Sequence, residues 1–166
     1  MIAISIGTYH YLSKWREAHP DKETACYISG PTAVLVINDD TPPKEFKEAK
    51  TYDVLSSAGP LQGAFAAFQY LSITEEGQPL FEQRHRELHK KVQPSSGLHG
   101  IHVLVPRKGH QYVVMSVWDK ETSYQYHSVP LVDEHFLQKG PHSLFEPSFT
   151  KVYHEPVEDR EESDDV

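Results

Sequence analysis

An α+β fold with two similar halves is predicted by three features of the sequence. Hydrophobic residues make up 38% of the 166-residue chain, which is enough to bury a core. Strand-type runs alternate with helix-type runs, and glycine and proline separate many of them. The order strand, helix, strand, strand, helix near residues 1–60 recurs in residues 63–155, with one more strand at the end. This repeated order is typical of ferredoxin-like units, so we expect two fused halves with antiparallel sheets packed against each other.

Residues 1–62 are expected to form the N-terminal α+β half. The alternating segment IAISIGTY predicts a first strand, and HYLSKWREAHP predicts a helix with an apolar face. Two strand-type runs, ACYISG and TAVLVIND, flank Gly30 and Pro31 and predict a hairpin. The segment TYDVLSSAG is interpreted as a short helix that ends at Gly59.

Residues 63–155 are expected to form the C-terminal half. The apolar run GAFAAFQYLSI predicts a strand, and TEEGQPLFEQRHRELHKKV predicts a helix capped by Thr74, with acids at its start and lysines at its end. The runs GLHGIHVLVPRKG and QYVVMSVWD predict two further strands. KETSYQYHSV and LVDEHFLQ are interpreted as helical, and FEPSFTKVYHE as the last strand.

Composition excludes several classes of function. The net charge is −8, and the final segment VEDREESDDV carries six acids against one arginine, so residues 156–166 are expected to be a disordered acidic tail. The absence of a basic surplus argues against nucleic acid as a partner. No apolar run reaches the roughly 18 residues of a membrane helix, so we expect a cytoplasmic chain with no membrane partner. Cys26, the one cysteine, lies in an apolar run and is expected to be a buried thiol.

Eleven histidines raise the question of a metal site. The segment HRELH places His85 and His89 four residues apart, a spacing that two-histidine metal sites use, but it lacks the glutamate of the zinc protease motif. Since Phe81 marks the buried stripe of this helix, we interpret the two histidines as a solvated face. His99 and His102 are three residues apart on a predicted strand, so their side chains point to opposite faces and cannot easily share a ligand. We expect both to be structural.

Two other histidines have a different setting. In SYQYHSVPLVDEHFLQKG, His127 and His135 follow the strand-type run VVMSVWD, and Phe136 and other apolar residues surround His135. A neutral imidazole in such surroundings can serve as an axial ligand of heme iron, or it can be a partly buried histidine satisfied by hydrogen bonds. Spacing alone leaves both interpretations open. The chain has neither a phosphate-binding loop nor a serine in a nucleophile elbow.

The segment SITEEGQPLFEQRHRELHKKVQPSSGLHGIHVLVP, followed by YVVMSVWDKETSYQYH, resembles the antibiotic biosynthesis monooxygenase (ABM) family. IAISIGTYHYL, TYDVLSSAG and the total length resemble its two-domain branch of heme-degrading monooxygenases, which also includes TRAP-type signalling proteins. The resemblance extends over residues 1–155. It implies a dimeric α+β barrel formed within one chain, hence a monomer, with heme between the second sheet and the two helices around it.

The resemblance also implies site residues. In heme-degrading members, an asparagine on the first strand of the ABM half donates a hydrogen bond near the oxygen ligand, a tryptophan distorts the porphyrin, and a histidine binds iron. The asparagine position falls on Tyr70, beside Gln69; the tryptophan position falls on His127, and the histidine position on His135. Neither Tyr70 nor His127 reproduces the family geometry.

The expected function is therefore heme binding through His135 as the metal ligand, with Tyr70 and His127 on the distal side. The activity that the resemblance implies is oxidation of heme by O₂ and electrons from an external reductase, with release of iron. Apolar residues are candidates to line the pocket, although an ordinary core explains each equally well: Phe65, Phe68, Phe81, Val117 and Phe136. Two alternatives stay open: a non-enzymatic TRAP-like regulatory or stress protein with a vestigial pocket, and cofactor-free oxidation of a small aromatic substrate in which Tyr70, His127 and His135 act as hydrogen-bonding groups or bases.

Overall fold

The computed structural model describes residues 1–41, 43–91, 97–127 and 144–156. Described residues form eight strands and four helices in the order β1 (Ile2–Gly7), α1 (Tyr9–Ala18), β2 (Glu23–Ser29), β3 (Thr32–Asn38), β4 (Lys50–Ala58), β5 (Phe65–Ser72), α2 (Gly77–His85), α3 (Leu88–Lys91), β6 (Leu98–Pro106), β7 (Gln111–Trp118), α4 (Glu121–His127) and β8 (Phe149–His154). The acidic tail from residue 157 and the segment LVDEHFLQ lie outside the described residues.

The eight strands close into one antiparallel barrel in the order β1-β3-β2-β8-β5-β7-β6-β4. Each half contributes four neighbouring strands: β4-β1-β3-β2 from the first half and β8-β5-β7-β6 from the second. In both, the last strand of the half lies beside the first and the third lies between the first and the second, which is the ferredoxin-like arrangement. The predicted α+β fold with two ferredoxin-like halves is confirmed. The proposed boundary at residue 62 lies in the connection between β4 and β5.

Two seams join the halves. The first is extensive, since β4 pairs with β6 from Tyr52–Pro106 to Ala58–Ile101. The second is short, with Ile28 of β2 paired to His154 of β8. The connection between the halves reinforces the barrel beside the second seam, because the Tyr27 hydroxyl donates to the Leu61 carbonyl at 2.6 Å and accepts from the Gly63 amide at 2.8 Å.

Four apolar clusters follow from the barrel. The largest contains residues of all eight strands and fills the barrel interior. A second lies outside the C-terminal sheet, between its strands and α2 and α3, and includes Leu71, Phe81 and Val114. A third lies under α1 and includes Cys26, whose thiol has its pKa raised by burial. A small fourth cluster of Phe65, Leu98 and Trp118 packs against Tyr124 of α4. No helix among the described residues is long and apolar enough to cross a membrane.

The sequence prediction for TYDVLSSAG was wrong. This segment is not a helix but most of β4, which pairs with β1 on one side and β6 on the other. A register shift between Val54 and Ser56 turns two consecutive serines toward two different histidines. Ser56 Oγ lies 2.5 Å from His89 Nδ1, and Ser57 Oγ lies 2.6 Å from His102 Nδ1. Tertiary pairing overrides weak local preference here, because barrel closure requires a strand between β1 and β6.

The long helix predicted after β5 is shorter and divided. Thr74 Oγ1 accepts a hydrogen bond from the Gly77 amide at 3.2 Å at its start, and α2 and α3 are separate elements. The predicted solvated face was wrong for His85, which is 2% exposed and packs its ring 4.4 Å from that of Phe81. Within the described residues, no group of three or more histidine, cysteine or acidic side chains could hold a metal ion.

His102 is expected to make the fold less stable at acid pH. Its ring is buried, Nε2–H donates to the Pro60 carbonyl at 3.0 Å, and burial is the main cause that lowers the pKa of His102. An unfolded histidine titrates near ~6.5, so below that pH the unfolded chain binds a proton that the folded chain does not. The contribution of His102 to the free energy of unfolding is fully present above about pH 6.5. It is lost as the pH falls from there through the lower pKa of the folded protein.

Urea unfolding of the wild type and His102→Gln at a series of pH values from about 7.5 to 5 checks this expectation. The free energy of unfolding should fall less steeply with pH in His102→Gln. The matched control is His10→Gln, on the exposed side of α1, which should keep the wild-type slope. An unchanged slope in His102→Gln would contradict the assignment.

Candidate functional site

The described residues of the predicted site lie in three different apolar clusters. Tyr70 belongs to the barrel interior, Phe81 lies under α2, and Phe65 lies beside α4. His127 is the last residue of α4 and is exposed. Phe68 and Val117, which sequence reasoning added to the pocket lining, are also in the barrel interior. His135 and Phe136 lie outside the described residues, so their assigned roles stay predictions.

The pleat of β5 separates Tyr70 from its neighbour Gln69. Phe68 and Tyr70 point into the barrel, whereas Leu71 packs in the cluster under α2 on the outer face. Side chains alternate between the two faces of a strand, so Gln69 lies on the outer face together with Leu71. Its side chain is half-buried. Gln69, and not Tyr70, is therefore the polar side chain of this part of β5 that faces the helix layer.

An aromatic group marks the other end of this outer face. The Tyr124 ring of α4 lies 5.5 Å from that of Phe65 and 5.7 Å from that of Trp118. The Trp118 indole N–H donates to Ser116 Oγ at 2.9 Å, which satisfies the polar atom of this buried ring. The residue predicted from sequence, His127, lies one turn further along the same helix. The contact of α4 with the sheet is made by Tyr124.

The two ends of the chain around His135 lie at opposite ends of β5. The chain reaches His127 in α4, beside Phe65 at the start of β5. It resumes at Leu144, which forms a bridge with Ile73, and the Phe145 amide donates to the Ser72 carbonyl at 2.8 Å. The described chain therefore stops and resumes at opposite ends of β5, and His135 lies outside it.

Tyr70 takes part in a separate site at one end of the barrel. Its ring stacks on that of Phe149 at 5.0 Å, and both line a cavity of about 220 Å³ together with Tyr52 and the rim lysines Lys50 and Lys151. Burial is the largest cause that raises the pKa of Tyr70, and the neighbouring Tyr153 and Tyr52 raise it further. Burial raises the pKa of Tyr52 to about 12. Both phenols therefore stay protonated at neutral pH and can donate hydrogen bonds.

A wider cleft of about 970 Å³ adjoins this cavity. The segments around residues 43–52 and 106–111 form its walls, and Lys50 and Tyr52 are common to both spaces. Three further lysines line it: Lys44, Lys47 and Lys108. The sequence contains a signal for this site, because its residues recur at every second position of two strands: Lys50 and Tyr52 of β4, and Phe149, Lys151 and Tyr153 of β8.

Residues 64–129 match the model of the antibiotic biosynthesis monooxygenase family. The match agrees with the sequence resemblance, and the matched residues span β5 to α4 with the outer face described above. The chain is also 24% identical over 124 residues to a heme-degrading monooxygenase of Listeria monocytogenes, an alignment that covers 74% of each protein.

Solved structures show the same fold over 93% of this chain. A major regulator of staphylococcal pathogenesis superposes with a TM-score of 0.77 at 17% identity and 98% of its own length. A heme-degrading enzyme from Listeria monocytogenes superposes with a TM-score of 0.73 at 19% identity and 99% of its length. A monooxygenase-like protein from Listeria innocua gives a TM-score of 0.69 at 27% identity and 92% of its length. The single-chain barrel is thus the shared architecture of these proteins.

Proposed function

We propose that this ABM protein binds heme on the outer face of its second sheet and oxidises it with O₂ and electrons from an external reductant. The observation that carries the proposal is the likeness to a heme-degrading monooxygenase over 74% of both chains, together with the ABM match at residues 64–129. His135 is the proposed iron ligand. The bound heme is the substrate, and its iron supplies the site where O₂ is reduced.

The described residues of the outer face suit this proposal in two respects. Gln69 presents a carboxamide to this face, and its N–H groups can donate a hydrogen bond in the role that the family assigns to asparagine. Phe65, Trp118 and Tyr124 present an aromatic surface at the other end of the same face. A flat apolar ligand gains contact area from such rings.

The proposed roles therefore differ in part from those expected from sequence. Gln69 replaces Tyr70 as the hydrogen-bond donor, because Tyr70 faces the barrel interior. Tyr124 replaces His127 as the bulky side chain of α4 directed toward the sheet, because His127 is exposed. His135 keeps its proposed role, which rests on the sequence resemblance.

An aerobic turnover assay tests the activity. Protein loaded with one equivalent of hemin is mixed with ascorbate in air in the presence of catalase, and heme absorbance and chelator-trapped Fe²⁺ are followed. We expect the heme absorbance to be lost and iron to be released at rates that catalase does not change. Bleaching that catalase abolishes would overturn the enzymatic proposal, because it would come from free peroxide. Stable binding without bleaching would instead support the non-enzymatic alternative.

A further inference from the structure

We propose that the open end of the barrel is a binding site for a small aromatic carboxylate, separate from the outer face assigned to heme. The site is the cavity of about 220 Å³ at the ends of β1, β4, β5 and β8. Tyr70 points into it from the inner face of β5, whereas Gln69 points to the opposite face. The two sites thus lie on opposite sides of one strand.

Two buried phenols at the base of the cavity carry the proposal. Tyr52 is 2% exposed and Tyr70 is 7% exposed, and both side chains line the cavity. Two other buried phenols instead bond protein groups: the Tyr27 hydroxyl donates to the Leu61 carbonyl, and the Tyr112 hydroxyl donates to Glu82 at 2.9 Å. The hydroxyls of Tyr52 and Tyr70 are not fully buried, so each can donate a hydrogen bond to a polar group of a ligand in the cavity.

Side chains at the wall and the rim of the cavity indicate which further groups the ligand carries. Phe149 is 42% exposed and already stacks on Tyr70 with an interplanar angle of 20°, so a third flat ring can extend the stack. Lys50 and Lys151 stand at the rim, and neither forms an ion pair within the described part of the chain. Glu48 also lines the cavity, so the local excess is one positive charge. This excess matches a singly charged carboxylate better than a phosphate dianion.

The volume of the cavity and the charges around its opening support the same ligand class. Pockets for drug-sized ligands have about 300–1,000 Å³, so a cavity of 220 Å³ accommodates a ligand with a single ring. The chain as a whole carries a charge of −8, which repels anions. The adjoining cleft is lined by Lys44, Lys47 and Lys108 against one carboxylate, Glu146. The lining charge at this end of the barrel is therefore positive and attracts an anion to the opening.

An NMR titration tests the proposal with benzoate as the probe. Amide shifts of ¹⁵N-labelled protein are followed with benzoate, with benzyl alcohol as an uncharged ring, and with inorganic phosphate as a charge without a ring. We expect saturable shifts at the ends of β1, β4 and β8 with benzoate, weaker binding of benzyl alcohol, and no such shifts with phosphate. Equal shifts with phosphate, or shifts scattered over the surface without saturation, would overturn the proposal.

Matched variants separate the contributions of the rim lysines and of the Tyr70 hydroxyl to benzoate affinity. Lys50→Gln/Lys151→Gln is expected to weaken benzoate binding roughly tenfold, the cost of losing a hydrogen bond to a charged group. Lys14→Gln/Lys120→Gln removes the same charge from exposed positions elsewhere and should leave benzoate affinity unchanged.

Tyr70→Phe removes the hydroxyl but keeps the ring, and it should also weaken benzoate binding. Wild-type affinity in both the rim variant and Tyr70→Phe would overturn the assignment, and the amide spectrum of each variant reports its fold. His135→Ala should bind benzoate like the wild type, which separates this site from the heme proposal.

Discussion

Replacing Gln69 with leucine is expected to slow the aerobic oxidation of bound heme by about tenfold or more, the typical cost of one hydrogen bond aimed at developing charge. Gln69 is the carboxamide that the pleat of β5 directs to the outer face, on the same side as Leu71. Leucine keeps a similar volume but removes both N–H donors. Single-turnover oxidation of hemin-loaded protein, with ascorbate and catalase, measures the rate, and the Soret band confirms that the variant is loaded equally.

Tyr70→Phe is the matched control for this substitution. It removes a hydroxyl from the adjacent residue, but that hydroxyl lies in the barrel interior on the other face of the sheet. The oxidation rate of Tyr70→Phe should equal that of the wild type. If Tyr70→Phe were slow and Gln69→Leu fast, the heme would be on the inner side of β5, and the proposed placement would be wrong.

Phe68→Ala is expected to destabilise the protein by about 3–5 kcal/mol, the usual cost of truncating a buried phenylalanine. Phe68 is fully buried in the barrel interior, and its ring meets that of Tyr153 edge-on at 5.4 Å. This contact joins β5 to β8, and β8 is the strand that reaches across the short seam to Ile28 of β2. Loss of the ring therefore leaves a cavity beside the weaker closure of the barrel.

Thermal and urea unfolding measure the effect. The melting temperature should fall by roughly 10 °C, since about 1 kcal/mol corresponds to 2–4 °C in a domain of this size. Tyr126→Ala is the control, because Tyr126 is also aromatic but is 82% exposed. That change should stay within about 0.5 kcal/mol. A small effect of Phe68→Ala would show that the barrel interior tolerates a void and that the seam does not depend on this contact.

The repeated order of elements was sufficient to predict the fold because the hydrophobic periods of most strands and helices are clear. β2 and β3 lie on either side of the predicted turn, where Gly30 has a φ of 58° that suits glycine. β4 was misread as a helix, since TYDVLSSAG alternates poorly and carries two serines whose partners, His89 and His102, are distant in sequence. A strand whose polar groups are satisfied by remote side chains has no local signature.

The site was harder to predict than the fold for a related reason. The proposed donor Gln69 and the expected donor Tyr70 differ by one residue, and in a strand a shift of one residue moves the side chain to the other face. The same alternation placed the phenols of Tyr52 and Tyr70 in one cavity, although 18 positions of sequence separate them. Only barrel closure brings the inner faces of β4, β5 and β8 together. The roles of His135 and Phe136 stay predictions, since both lie outside the described residues.

The most direct test of the heme proposal is a hemin titration followed at the Soret band in the wild type, His135→Ala and His154→Ala. His154 is an exposed histidine at the end of β8 and serves as the control for removal of one imidazole. We predict saturable binding at one hemin per chain in the wild type and His154→Ala, and loss of the ligand-dependent Soret shift in His135→Ala. Binding that does not saturate, or a wild-type spectrum in His135→Ala, would contradict the assignment of His135 as the iron ligand.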